Sequence, residues 1–180
     1  MAAARLEYPM SFHEAAGRWF AVQVRPRSEA AVAALLASKG YDTFVPSYVC
    51  AGRPPNRALS RLPLFPGYVF CRCDPLPNAL IVTTPGVVRI VGYGRNPAVI
   101  EEREIATLKT IIASGVRTEP LSEAHPGDAV RITSGPLRGV EGFLVEMNKR
   151  RQFIVSVSIL HRSALVELKR EWVTAAVGQM

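Results

Sequence analysis

Pro126-Gly127-Asp128-Ala129-Val130-Arg131-Ile132-Thr133-Ser134-Gly135-Pro136-Leu137-Arg138-Gly139-Val140-Glu141 reads as a strand, a tight turn and the start of a second strand. Pro-Gly-Asp opens the stretch as a turn. Val130 and Ile132 alternate with Arg131 and Thr133, the two-residue period of a half-buried strand. Ser134-Gly135-Pro136 stops that strand, and Val140 starts another that continues through Phe143, Leu144 and Val145. Gly139, placed just after a Gly-Pro turn, predicts a backbone of positive φ or a close approach between strands.

Downstream the strand character persists, with runs at about 128–133, 139–147, 151–158 and 164–168 and a short piece near Trp172. Met147 to Arg151 reads as a hairpin turn. Upstream the pattern differs. Residues 1–17 show no period and read as a flexible lead-in. Trp19 to Val24 reads as a strand, with Phe20, Val22 and Val24 on one face and Trp19, Ala21 and Gln23 on the other. A helix over 28–39 follows, with Ser28 as N-cap, Glu29 in the first turn, Val32, Leu35 and Leu36 on its apolar side and Gly40 past its end. Thr43 to Pro46 is a short strand, and the Arg- and Pro-bearing segment 50–63 breaks regular structure. Leu64 to Cys73 is a strong strand. Residues 79–83 fit a short helix or a strand equally. Val87 to Val91 is a strand, and 92–97 a loop. A second helix runs from Glu101 to Ser114, with acids at its start, a stripe of Ile105, Leu108, Ile111 and Ile112, and Gly115 at its end. Strands alternating with helices, then strands alone, predict an α+β chain with a sheet flanked by helices in 18–115, a polar linker at 116–125 and an all-strand part in 126–176.

The 180 residues carry 22 Lys and Arg against 15 Asp and Glu, a net charge of +7. Residues 1–115 hold thirteen basic and eight acidic groups, whereas 116–180 hold nine and seven, so the excess sits in the first part. Such an excess favours a partner with phosphates or an acidic face. Cys50, Cys71 and Cys73 cannot all pair, and no His stands at metal-ligand spacing beside them; free thiols and no metal are expected, which suits a reducing cytoplasm. No apolar run approaches a membrane span. An enzyme is poorly supported. His13, His125 and His161 are scattered. Gly92-x-Gly94 meets Pro97 where a dinucleotide loop needs a third Gly, and Gly135 to Gly142 lacks the Gly-Lys-Ser/Thr of a P-loop. Nothing calls for a cofactor.

The order of these signals carries a resemblance. Trp19 to Val24 leads into the Ser-Glu-started helix. Leu64-Phe65-Pro66-Gly67-Tyr68-Val69-Phe70 and Thr84-Pro85-Gly86-Val87-Val88-Arg89-Ile90-Val91 follow, and the Gly127-Asp128, Gly135-Pro136 and Gly139 pattern comes last. The last pattern resembles the KOW motif, and the whole set, over about 18–176, resembles the NusG family of transcription elongation factors. Val24 to Arg27, Leu64 to Gly67 and Thr84 to Val87 look more like the specialised paralogs of the RfaH and UpxY type than like the housekeeping protein.

The resemblance implies an NGN-type antiparallel sheet flanked by helices and an SH3-like KOW barrel. It also implies a cytoplasmic factor that binds the clamp helices of RNA polymerase through the first part and suppresses pausing or termination. The barrel would recruit a ribosomal protein or the termination factor Rho. By matching the family motif, Phe65, Pro66 and Tyr68 become candidate polymerase contacts, and Phe70 joins them because the two-residue period puts it on the same face as Tyr68. They are expected to stand exposed beside a concave apolar patch, because exposed aromatics make rigid, low-entropy anchors for a partner's helices. Arg53, Arg57 and Arg61, in a segment without acids, are candidates for DNA or RNA phosphates. Ile159, Leu160, His161 and Arg162 form the loop that would meet the barrel's partner; Leu160 stands where partner-binding relatives often carry an aromatic. A ribosome-associated RNA-binding protein that uses the barrel is the alternative, and it requires the positive charge to concentrate there.

Overall fold

The structure, a computed structural model, describes residues 17–51, 59–73, 79–94, 96–121, 128–147, 150–157, 160 and 162–167. The lead-in at 1–16, Arg53, Arg57, Gly127, Ile159, His161 and the expected final strand near Trp172 lie outside those residues.

The N-terminal half is built on β1, Arg18–Val24, whose aromatic and β-branched residues suit a strand covered on both faces. It pairs antiparallel with β5 (Tyr68–Cys73), β6 (Val87–Ile90) and the short β9 (Val99–Ile100), while β2 (Asp42–Phe44) adds to β5, giving a five-stranded sheet. Helix α1, Glu29–Ser38, buries Val32 and Leu36 against one face, beside Phe20, Val22, Val24, Val69 and Cys71. Helix α3, Glu102–Ser114, buries Ile105, Leu108 and Ile111 against the other, beside Trp19, Ala21 and Phe70. The two faces of β1 divide as its period predicts. Gly115 takes the left-handed conformation, φ 66, that ends α3.

The ambiguous segment at 79–83 is a single helical turn, α2, Ala79–Val82. The Thr83 and Thr84 hydroxyls donate back to the Ala79 and Leu80 carbonyls at 2.7 Å each, and Lys39 Nζ reaches Leu80 O at 2.9 Å, fixing α2 to the end of α1. Gly86 lies in the turn that follows, at φ +91, where a Cβ would stand 2.8 Å from Val32 Cγ2. Gly86→Ala therefore meets both a left-handed backbone and an overpacked core, and is expected to cost about 2 kcal/mol. A lowered urea midpoint at unchanged slope would register it.

The strands depart from the expected pattern at three places. The segment 50–63 is not wholly irregular, because β3 (Ser47–Ala51) and β4 (Leu59–Pro63) pair as an antiparallel ribbon. The expected linker at 116–125 contains a strand, β10 (Thr118–Leu121), that pairs antiparallel with β14 (Arg162–Glu167). Helix α3 thus passes into the next sheet through Gly115, Val116 and Arg117. The pair β7 (Gly92–Tyr93) and β8 (Asn96–Pro97) forms a second small ribbon where a loop is expected.

The C-terminal sheet has the order β10-β14-β13-β12-β11, with β11 (Asp128–Arg131), β12 (Glu141–Met147) and β13 (Arg150–Val157) completing it, all antiparallel. The turn between β11 and β12 closes through Gly139 N–H to Ile132 O at 2.7 Å and Ile132 N–H to Val140 O at 2.9 Å. Gly135 at φ 79 and Gly139 at φ 88 supply its left-handed positions, which no β-branched residue holds without strain.

Candidate functional site

The turn Leu64-Phe65-Pro66-Gly67 sits between the β3–β4 ribbon and β5, and is tied down from three directions. Leu64 N–H donates to Pro46 O at 2.8 Å, and Val24 N–H donates to Gly67 O at 2.9 Å. Gly67 N–H donates to Glu29 Oε1 at 2.7 Å. Glu29 is buried, so its carboxylate is an interior acceptor rather than the helix-dipole partner that its place in the first turn suggests. Ser28, the expected N-cap, makes no side-chain capping bond. Gly67 holds φ 83, which lets the turn reverse tightly enough to meet Glu29.

The turn aims Phe65 inward. Its ring stands edge-on to Phe70 at 5.8 Å and 82°, and Phe70 also meets Phe44 at 6.2 Å. Phe65 is 1% exposed and Phe70 is fully buried, while Tyr68 is half-buried and Pro66 exposed. An open aromatic face is therefore not observed. The physical reason is that the C-terminal sheet lies on it. Ile132, Leu137, Val140, Leu160, Ala164 and Val166 join Trp19, Leu64, Phe65, Phe70 and the stripe of α3 in one apolar cluster, with Tyr48, Tyr68 and Val116 at its border. Arg162 places its guanidinium 5.8 Å from the centroid of the Tyr68 ring, a cation–π contact across the junction. Leu160 and Arg162, two of the candidate partner residues of the second sheet, thus meet the candidate docking face of the first.

Trp19 marks the other end of the face. Lys109 Nζ stands 4.8 Å from its ring centroid and the Arg72 guanidinium 5.7 Å away, and Arg72 also pairs with Glu102 at 3.2 Å. On the ribbon, Arg61 is exposed and lies opposite Val49, which is exposed with Leu59 and Leu62. The Tyr48 phenol on β3 is pushed above its ordinary pKa, first by burial and then by the negative charge of Cys50 and Glu119.

Cys50, Cys71 and Cys73 form no disulfide among the described residues, and burial, reinforced by Cys73 and Asp42, pushes the Cys71 thiol up to about 12. Its folded pKa lies above the unfolded one, so its contribution to stability is complete below the ordinary thiol range and is lost as pH rises toward 12. Among the described residues no cluster of His, Cys, Asp and Glu could hold a metal ion, and no helix is long and apolar enough to cross a membrane.

Comparison with known proteins places this geometry in context. A family model described as "Transcription termination factor nusG" matches residues 17–109. The chain is 35% identical over 124 residues to the transcription termination/antitermination protein NusG of Deinococcus radiodurans, over 58% of this chain and 64% of that one. Against the protein of the same name from Thermus thermophilus it is 32% identical over 124 residues, covering 63% of this chain and 67% of the other. Against that of Yersinia pestis it is 30% identical over 166 residues, covering 84% and 92%. Among solved structures, "Domain interaction in Thermotoga maritima NusG" superposes with a TM-score of 0.53 at 23% identity, over 87% of this chain and 96% of that one, a likeness of fold.

Proposed function

The chain belongs to the NusG family, and from that premise we propose that it is a transcription elongation factor that binds the clamp helices of RNA polymerase and opposes pausing or termination. The docking surface is the face formed by Phe65, Pro66, Tyr68 and Phe70 on the sheet and by α3 beside it. Phe65 and Phe70 shape the floor, and Pro66 and Tyr68 stand at the rim. The observation that carries this reading is the apolar cluster itself. The N-terminal sheet already has α1 on one side, and its second side presents enough apolar surface to hold both α3 and a whole second sheet. Apolar surface of that extent, bordered by Tyr68 and the cations Lys109 and Arg72, suits a pair of amphipathic helices as well as it suits the sheet now on it. Binding polymerase therefore requires the C-terminal sheet to move away. That movement also frees Leu160 and Arg162, the candidate contacts of the KOW-type segment for a further protein such as a ribosomal protein or Rho.

Titration of the full chain against core RNA polymerase tests the proposal. Tyr68→Ala removes a rim aromatic that the fold does not bury fully, and is expected to weaken binding about tenfold. A chain that binds ribosomes and ignores polymerase, or a Tyr68→Ala variant that binds polymerase like the parent, would count against it.

A further inference from the structure

We propose that β10 is a releasable latch: its pairing with β14 holds the C-terminal sheet over the aromatic face, and the face is uncovered when β10 peels from β14. The identification of that face as a polymerase surface matters only for the consequence of release, not for the latch itself.

The first argument is reach. Helix α3 ends at Ser114 and β10 begins at Thr118, so Gly115, Val116 and Arg117 alone connect them, and Val116 is held against the shared apolar cluster. Three residues span at most ~10 Å. One helix with its side chains is ~10–12 Å thick, so even a pair lying side by side on the face needs that much clearance along its whole length. With β10 in place, the sheet can pivot at the end of α3 but cannot back away far enough to admit a pair of helices. Once β10 leaves β14, the tether includes at least Gly115 to Leu121, which reaches ~25 Å.

The second argument is that β10 is made as an edge strand. Glu167 N–H donates to Arg117 O at 3.0 Å, which makes Arg117 and Glu167 a hydrogen-bonded pair. Antiparallel pairs alternate, so Glu119–Leu165 and Leu121–Ser163 are bonded pairs while Thr118–Val166 and Pro120–Ala164 are not. Pro120 therefore loses no bond to β14, and its missing N–H lies on the outward edge, where it prevents a further strand from adding. The ion pair of Arg117 with Glu119, at 2.6 Å, joins two exposed side chains of this same segment and adds little to its hold on β14. A strand of four residues at the edge of the sheet, next to the connection from α3, can leave while the rest stays paired.

The test fixes the latch. In a Cys50→Ser background, Pro120→Cys with Ala164→Cys places two thiols at a non-hydrogen-bonded pair, whose spacing accepts a disulfide. Hydroxyl-radical labelling of Phe65 and Tyr68 in the full chain then reports exposure of the face without any partner. Oxidation is expected to lower Phe65 labelling about tenfold, because labelling follows the open population, and reductant should restore it. Inserting about twelve Gly and Ser residues after Gly115 should restore labelling in the oxidised chain, since the longer tether removes the need to peel. Labelling that ignores oxidation, or that oxidation lowers and the longer tether fails to rescue, overturns the latch. Thr118→Cys with Val166→Cys repeats the test at the neighbouring unbonded pair should the first variant not fold. Polymerase titration of the same proteins separates the two ideas: labelling that follows the lock in a chain that never binds polymerase leaves the latch standing and refutes the docking reading.

Discussion

Phe70→Ala is expected to lower the melting temperature of the chain by roughly 10 °C, the equivalent of ~3–5 kcal/mol for a buried Phe in a chain of this size. Phe70 has no exposed surface, and its ring lies between Phe44 at 6.2 Å and Phe65 at 5.8 Å. Removing it leaves a cavity beneath the turn that carries Phe65 and Pro66, and the two remaining rings cannot close it because each is fixed by its own strand or turn. The loss should appear in the N-terminal sheet, as an earlier thermal transition and faster hydrogen exchange in β5 and β2. Phe70 thus acts on any partner through the shape of the face. A Phe70→Ala chain that melts like the parent would mean that the aromatic stack contributes no packing, contrary to its burial. Phe70→Leu, which keeps most of the volume, should lose less than half as much.

The sequence revealed most where one period governs a whole element. The division of β1 into two faces, the stripe of Ile105, Leu108 and Ile111, and the glycine that ends α3 follow from local spacing and local backbone freedom, and the structure has each of them. The left-handed Gly139 was equally legible, because a turn after Gly-Pro constrains φ within a few residues. Where the fold departs from expectation, the deciding partner is distant. Thr-Glu-Pro-Leu has no apolar alternation, and it becomes a strand because β14 offers an edge some forty residues later in the chain. Ala51 and Leu59 pair across an Arg- and Pro-bearing segment that local rules read as irregular. Glu29 looks like a helix-start acid; its partner, the Gly67 amide, is 38 residues away.

The candidate residues came from a motif, and nothing local in the sequence marked how they are covered. The motif singled out Phe65, Pro66 and Tyr68, and alternation set Tyr68 and Phe70 on the face opposite Val69 and Cys71, as found. What alternation cannot say is whether an apolar face meets solvent, a helix or another part of the same chain. Each sheet is patterned by its own period, and their meeting depends on complementary shape, which leaves no local mark. Arg162 over Tyr68 is a contact between two residues that each read as partner-binding in isolation.

Leu160→Asp is expected to tighten polymerase binding about tenfold, the opposite sign from Tyr68→Ala. Leu160 is 8% exposed in the cluster shared by the two sheets, and an unpaired carboxylate there is costly, so the covered arrangement loses ground to the open one. A partner that binds only the open form sees an affinity reduced by the fraction of open molecules. If the parent is open about a tenth of the time, full opening returns that factor of about ten and no more. The same argument fixes how the two substitutions combine. Tyr68→Ala removes a docking contact, but it also removes the ring under Arg162 and so loosens the cover, and the second effect conceals part of the first. In the Leu160→Asp background the cover is already gone, so Tyr68→Ala should there cost its full value, about thirtyfold, or ~2 kcal/mol. The measured non-additivity of about threefold in this cycle is the contribution of Tyr68 to closure. Titration of the four chains against core polymerase, with circular dichroism to follow the strand content of each, supplies every quantity. Additive losses would mean that Tyr68 does not help hold the cover, and weaker binding by Leu160→Asp would mean that the C-terminal sheet assists the docking face instead of hiding it.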